Sequence, residues 1–175
     1  MLLDSHRRLI IPAGLLAGLI VGTIARLWMR WISTDPEFTW GGTLGIVIGF
    51  AIFGAVQGAV HIVRSKPRKR WAIILVRILG TVFSLQLFAA AGAIMFPTVL
   101  TLSLAKWRKG WYSWVRIPLA MVGTLIWLLI MKSEIINKFG WSVATVGRLA
   151  LFVAIYSSII WALKFTVSSN PRPAK

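Results

Sequence analysis

Apolar residues along this chain come in long blocks and do not alternate with charge. Four blocks stand out, Leu9–Trp31, Gly41–Val63, Val115–Met131 and Val146–Phe165. Each approaches the ~20 mostly apolar residues that a helix needs to cross a bilayer. A fifth block, Trp71–Ala105, is too long for one helix of ordinary tilt. It contains Ala89-Ala90-Ala91-Gly92 and then Pro97. Glycine and proline interrupt helices, and proline sits best near a helix start. The pattern therefore predicts six helices, over 9–31, 41–63, 71–90, 93–105, 115–131 and 146–165. They form one all-α, polytopic transmembrane helix bundle, a single domain over 1–175. The fourth helix is short and is expected to be tilted, kinked or only partly spanning.

Charge decides between six crossings and the alternative of five. With six, one face holds Arg7, Arg8, Arg64, Lys66, Arg68, Lys69, Arg70, Arg77, Lys106, Arg108, Lys109, Arg116, Lys164, Arg172 and Lys175, which is 15 of the 20 Lys and Arg residues. Five crossings would spread the same charges 11 to 9. Cytoplasmic loops carry the excess of Lys and Arg, so six crossings with both termini cytoplasmic are expected. Tryptophans fall near the ends of the blocks, as aromatic belts do, with Trp127 alone deep. The N-terminal Arg7-Arg8 and the apolar run behind it look like a signal peptide, but the further apolar blocks favour an uncleaved first helix.

Composition sharpens the class. The chain is 58% hydrophobic and 14% charged, against about 25% charged in soluble domains. It has no cysteine, which excludes disulfides, thiolate catalysis, cysteine-ligated zinc and iron–sulfur clusters. No cofactor or metal site is expected. The net charge of +16 is distributed as topology is written, at the flanks of apolar blocks.

Two helices carry glycine rows. Gly14, Gly18 and Gly22 recur every four residues in the first helix. Gly41, Gly45 and Gly49, then Gly54 and Gly58, follow in the second. Small residues let helix backbones approach closely in lipid. The rows predict close packing of the first two helices on each other; the other reading is an oligomer seam or a pore lining.

Ionisable groups at membrane depth are rare and are candidate working residues. Arg26 lies roughly 25 Å from the inner end of its helix, in the outer leaflet. Arg30 shares its face at i,i+4, and Arg148 begins the last helix on the same side. These three arginines, with Asp35 and Glu37, form a candidate outer cluster. It is either an anion or headgroup site, since arginine forks suit carboxylate and phosphate, or an internal salt-bridge lock. Ser33-Thr34-Asp35-Pro36-Glu37 also reads as a short helix start. A candidate inner cluster joins Gln57, His61 and Arg77. Its plainer reading is an arginine snorkelling to headgroups beside an interfacial histidine.

The run from Arg26 through Trp40, followed by Gly42-Thr43-Leu44, resembles a pattern in uncharacterised integral membrane proteins of actinobacterial type. The resemblance covers the first third of the chain. It implies a membrane protein and brings no activity, ligand or site residue with it.

Two inner loops are strongly basic, Arg64-Ser65-Lys66-Pro67-Arg68-Lys69-Arg70 and Lys106-Trp107-Arg108-Lys109. They suit a lipid bilayer with an anionic inner leaflet, at about 1 kcal/mol per basic residue near the surface. Nucleic acid is not expected as a partner. The chain carries no GxSxG, HExxH, phosphate-loop or dinucleotide fingerprint. It is therefore expected not to be an enzyme. The expected function is that of a noncatalytic accessory or interaction subunit of the cell (cytoplasmic) membrane, working with a membrane protein partner or as a homo-oligomer. The alternative is a small channel or carrier for an anion or lipid headgroup that uses the outer-face arginines.

Overall fold

The computed structural model describes residues 2–34, 38–64, 70–91, 95–108 and 111–168, and among them every regular element is helical. The elements are α1 (Leu2–Ile32), α2 (Trp40–Arg64), α3 (Arg70–Ala91), α4 (Met95–Trp107), α5 (Ser113–Met131), a π-helical turn (Lys132–Ile136) that carries α5 into α6 (Asn137–Phe139), α7 (Val143–Ala162) and α8 (Lys164–Val167). The last four join end to end in pairs, so the described residues make six rods. Four stretches are long and apolar enough to cross a membrane: Leu9–Ile32, Trp40–Arg64, Ser113–Phe139 and Val143–Val167.

The first rod begins at Leu2, ahead of the expected Leu9, and three further ends depart from the expected bounds for local reasons. Lys132, Ser133 and Glu134 interrupt the apolar run that predicts an end at Met131, yet the helix continues. Glu134 and Lys138 pair at 2.6 Å across one turn, and Ser133 bonds back to the Ile130 carbonyl at 3.3 Å. The stop is Gly140, whose φ of 62° is one a side chain rarely adopts. Ser142 then caps α7, its hydroxyl accepting from the Thr145 amide at 3.1 Å. A cap there starts the helix ahead of the predicted Val146. At the other end, α8 prolongs α7 beyond Phe165 through bonds such as Ser168 N to Lys164 O at 3.0 Å.

The α1–α2 pair is the closest in the fold, and glycine is the reason. A side-chain carbon on Gly14 would run into the Gly54 carbonyl, and one on Gly18 into the Phe50 carbonyl. At Gly22 it would lie 2.8 Å from Phe50 Cβ, and at Gly58 2.9 Å from the Ile10 carbonyl. Gly45 and Gly49, expected in the packing rows, do not take part: nothing lies within 4 Å of a carbon built on either, or on Gly41. Helical advance explains the split. Five residues separate Gly49 from Gly54, a rotation of roughly 140° at 3.6 residues per turn. The two rows of α2 therefore lie on different faces.

The rods alternate in direction. Gly14 faces Gly54, Arg116 reaches the Ala105 carbonyl from α5 to α4, and Trp28 reaches Arg148 from α1 to α7. The short α4 is the most enclosed rod, with Thr98, Val99 and Ser103 fully buried. At 1.5 Å per residue its 13 residues cover roughly 20 Å, short of the ~30 Å hydrocarbon core. An aromatic cluster centres on Phe152, with ring centroids 5.3 Å from Trp28, 5.9 Å from Trp127 and 4.3 Å from Tyr156. Trp28 belongs to this core, 3% exposed, and not to an interfacial belt. Its indole donates to the Arg148 carbonyl at 2.8 Å, and Trp107 donates to the Ile160 carbonyl of the same rod at 2.8 Å.

Candidate functional site at the basic end of the bundle

The rod α7–α8 ends among arginines. A helix C-terminus leaves its last carbonyls without intrahelical donors and carries a partial negative charge. Three other rods answer it. Arg64, the last residue of α2, donates through Nη1 to the Phe165 carbonyl and through Nη2 to the Ser168 carbonyl at 2.7 Å and hydroxyl at 3.2 Å. Arg77 of α3 donates to the same Ser168 carbonyl at 2.7 Å. Arg108, just past α4, donates to the Val167 carbonyl at 3.4 Å. The guanidiniums are close enough to repel one another.

A polar chain runs beneath them. Gln57, 2% exposed, accepts from the Thr166 hydroxyl at 2.6 Å and donates to the Ser84 hydroxyl at 3.3 Å. Ser84 in turn donates to the Gly80 carbonyl at 2.5 Å. Side chains of α2, α3 and α8 are thus tied together where no water competes, and each polar group has a partner. Gly80 makes room for this: a carbon there would lie 3.2 Å from the Thr166 hydroxyl.

The expected inner cluster of Gln57, His61 and Arg77 is thereby gathered in a different way. The three meet on α8 and its cap, each at its own residue: Gln57 on Thr166, Arg77 on Ser168, and His61 edge-on to Phe165 at 4.8 Å. Sequence reading assigned Arg64 and Arg108 to loops and missed them as members of the site. The signal available was that each closes an apolar block on the face where the last helix also ends.

At the opposite end the three outer arginines go to separate neighbours. Arg26 donates to the Thr43 hydroxyl at 3.1 Å. Arg30 lies over the Phe38 ring at 5.1 Å. Arg148 donates to the Trp31 carbonyl at 3.2 Å and stands over the Phe139 ring at 3.9 Å. Asp35 and Glu37 lie outside the described residues. Among the described residues no group of three His, Cys, Asp or Glu is placed to hold a metal.

The basic end also borders cavities. One, of about 700 Å³, lies between the α1–α2 pair and the C-terminal half of α7 and reaches Lys106. Another, of about 290 Å³, opens beside Arg77 and Arg108 between α3, α4 and α8. The fold and this end define an all-helical protein of membrane-spanning composition, with one strongly basic pole. No protein-family model, curated protein or solved structure matches the chain.

Proposed function

We propose that this protein is a noncatalytic, multi-pass protein of the cytoplasmic membrane that works as an interaction subunit, and that its basic pole faces the cytoplasm and holds anionic lipid headgroups. The observation that carries the reading is the convergence of Arg64, Arg77 and Arg108, from three rods, on one helix end. One helix terminus offers about half an elementary charge, far less than three guanidiniums bring. The chain has 4 acids against 20 Lys and Arg residues, and Glu134 is taken by Lys138, so own-chain carboxylates are too few to balance the pole. Lipid phosphates at the membrane surface are anions that a basic pole attracts, and arginine forks match them. The orientation follows from the positive-inside rule, which also favours six crossings with both termini inside.

The carrier alternative draws on the outer arginines, and their separate engagement with Thr43, Phe38 and Trp31 speaks for a structural part there. The test is native mass spectrometry of the protein in neutral detergent, titrated with phosphatidylglycerol or phosphatidylcholine. Phosphatidylglycerol is expected to bind preferentially, and Arg64→Gln, Arg77→Gln and Arg108→Gln each to reduce the preference. Equal retention of both lipids by the unaltered protein refutes the reading. Anion flux in proteoliposomes that is lost with Arg26→Gln or Arg148→Gln would put the carrier in its place.

A further inference from the structure

The cavity of about 700 Å³ beside the α1–α2 pair has the shape of a leaflet-deep wedge. Close approach at the glycines draws α1 onto α2. The aromatic cluster draws α1 onto the outer half of α7, through Trp28 and Phe152. The inner half of α7 is left standing away, and the space between is the cavity of about 700 Å³. Its α1 wall runs from Ile10 to Val21, roughly 16 Å at 1.5 Å per residue. That is about half of a ~30 Å hydrocarbon core, the depth of one leaflet. The walls are apolar, and the small residues Ala13 and Ala17 keep the α1 side shallow.

The polar side chains of the lining are Gln57, His61, Lys106, Ser157 and Ser158. His61 and Lys106 carry its ionisable groups, and Trp161 lines it too. Lys106 lies 5.1 Å from the Trp107 ring centroid, and Lys164 stands over the same ring at 5.2 Å. The Trp107 ring thus gathers two ammonium groups, of which Lys106 lines the cavity. Trp161 is largely exposed, as an interfacial tryptophan is. A void of this size cannot stay empty in a bilayer without its lining losing dispersion contacts, and water is a poor filler of an apolar space.

We propose that this wedge is a specific binding site for one anionic phospholipid, with an acyl chain lying along α1 between Ile10 and Val21 and the phosphate held at the mouth by Lys106 and Lys164. The site deepens the headgroup reading above by naming a lipid and its seat, and it rests on the membrane placement of that reading. It does not use the arginine trio, so the two stand or fall on different residues.

The experiment is the titration of the full chain in neutral detergent with phosphatidylglycerol, read by native mass spectrometry as the occupancy of the first lipid. Ala17→Trp fills the wedge from an exposed position on α1 and is expected to weaken the first binding step by about tenfold or more. Ser158→Phe, which fills it from α7, should act alike and guards against a folding defect in either variant. Lys106→Gln should weaken the first step for phosphatidylglycerol by about tenfold and leave that for phosphatidylcholine unchanged. Met121→Trp, of similar bulk on an exposed face of α5, should leave the first step unchanged. Unchanged first-lipid binding in both filled variants overturns the wedge site. If the arginine variants still lower lipid preference in that case, the headgroup reading survives without it. Loss of binding in Met121→Trp as well would mean nonspecific lipid uptake and would also overturn the site.

Discussion

The two glycine faces of α2 and its partner allow a matched pair of substitutions with opposite outcomes. Gly18→Ala and Gly49→Ala each add one methyl group to a glycine inside a four-residue spacing. At Gly18 the new carbon collides with the Phe50 carbonyl oxygen and comes 2.8 Å from its carbon and 2.9 Å from Ala51 Cα. Carbon pairs rest at about 3.5–4.0 Å, so α1 must retreat by the better part of an ångström, and that forfeits about a quarter to a half of each contact well along the seam. Overpacking of this kind costs about 1–3 kcal/mol. Alanine returns about 1 kcal/mol of helix propensity, so the net effect at Gly18 lies between about zero and a loss of about 2 kcal/mol. At Gly49 the carbon meets nothing within 4 Å, and only the propensity gain remains, up to about 1 kcal/mol of added stability. The assay is unfolding by sodium dodecyl sulfate in dodecyl maltoside micelles, followed by circular dichroism. A midpoint that moves the same way for both variants would refute the assignment of α2 faces. A stabilised Gly18→Ala would refute the close α1–α2 crossing itself.

Other substitutions test the remaining joints. Gln57→Leu keeps the volume and removes the bonds to Thr166 and Ser84. At about 0.6 kcal/mol per bond in membranes it should lower stability by about 1 kcal/mol, and amide exchange should rise at Thr166, Val167 and Ser168; unaltered exchange there would show that Gln57 does not hold α8. Gly140→Ala forces a side chain to φ 62°, ψ −168°, a region kept for glycine, and should cost about 1–3 kcal/mol in the same micelle assay. Glu134→Gln breaks an exposed pair and should move the midpoint by less than about 0.5 kcal/mol; a larger loss would give the pair a second role.

What the sequence made legible was everything governed by the length and edges of apolar blocks. The rods follow the blocks, with α3 described to Ala91 and α4 from Met95, against an expected split at Ala90 and Ala93. The extension through Lys132, Ser133 and Glu134 was hidden because a polar trio ends a hydropathy block without ending a helix; the i,i+4 pairing to Lys138 was the readable clue. Face assignments were harder. Gly41 to Gly58 reads as one continuous set until the five-residue step after Gly49 is counted in degrees. Trp28 looked interfacial from its place near a helix end, and only the arrival of Phe152 from a distant helix buries it. The basic end was legible as charge and not as geometry. Nothing in the local sequence around Arg64, Arg77 or Arg108 says that all three meet Phe165 to Ser168, because the meeting depends on how four rods close.

That closure has a consequence for the order of events on the ribosome. Arg64 is made 104 residues before Ser168. At about 5–20 residues per second, α2 waits roughly 5–20 s for the carbonyls that its arginine will hold. Gln57 waits as long for Thr166, its amide already committed to an apolar segment. During that interval α1 and α2 already have their glycine seam, while the polar groups of α2 and α3 must lean on whatever the nascent surroundings offer. Assembly therefore proceeds from a preformed hairpin to a late clasp. A ribosome stalled before residue 163 would leave a half-built bundle whose arginines still lack the helix end they are placed to clasp.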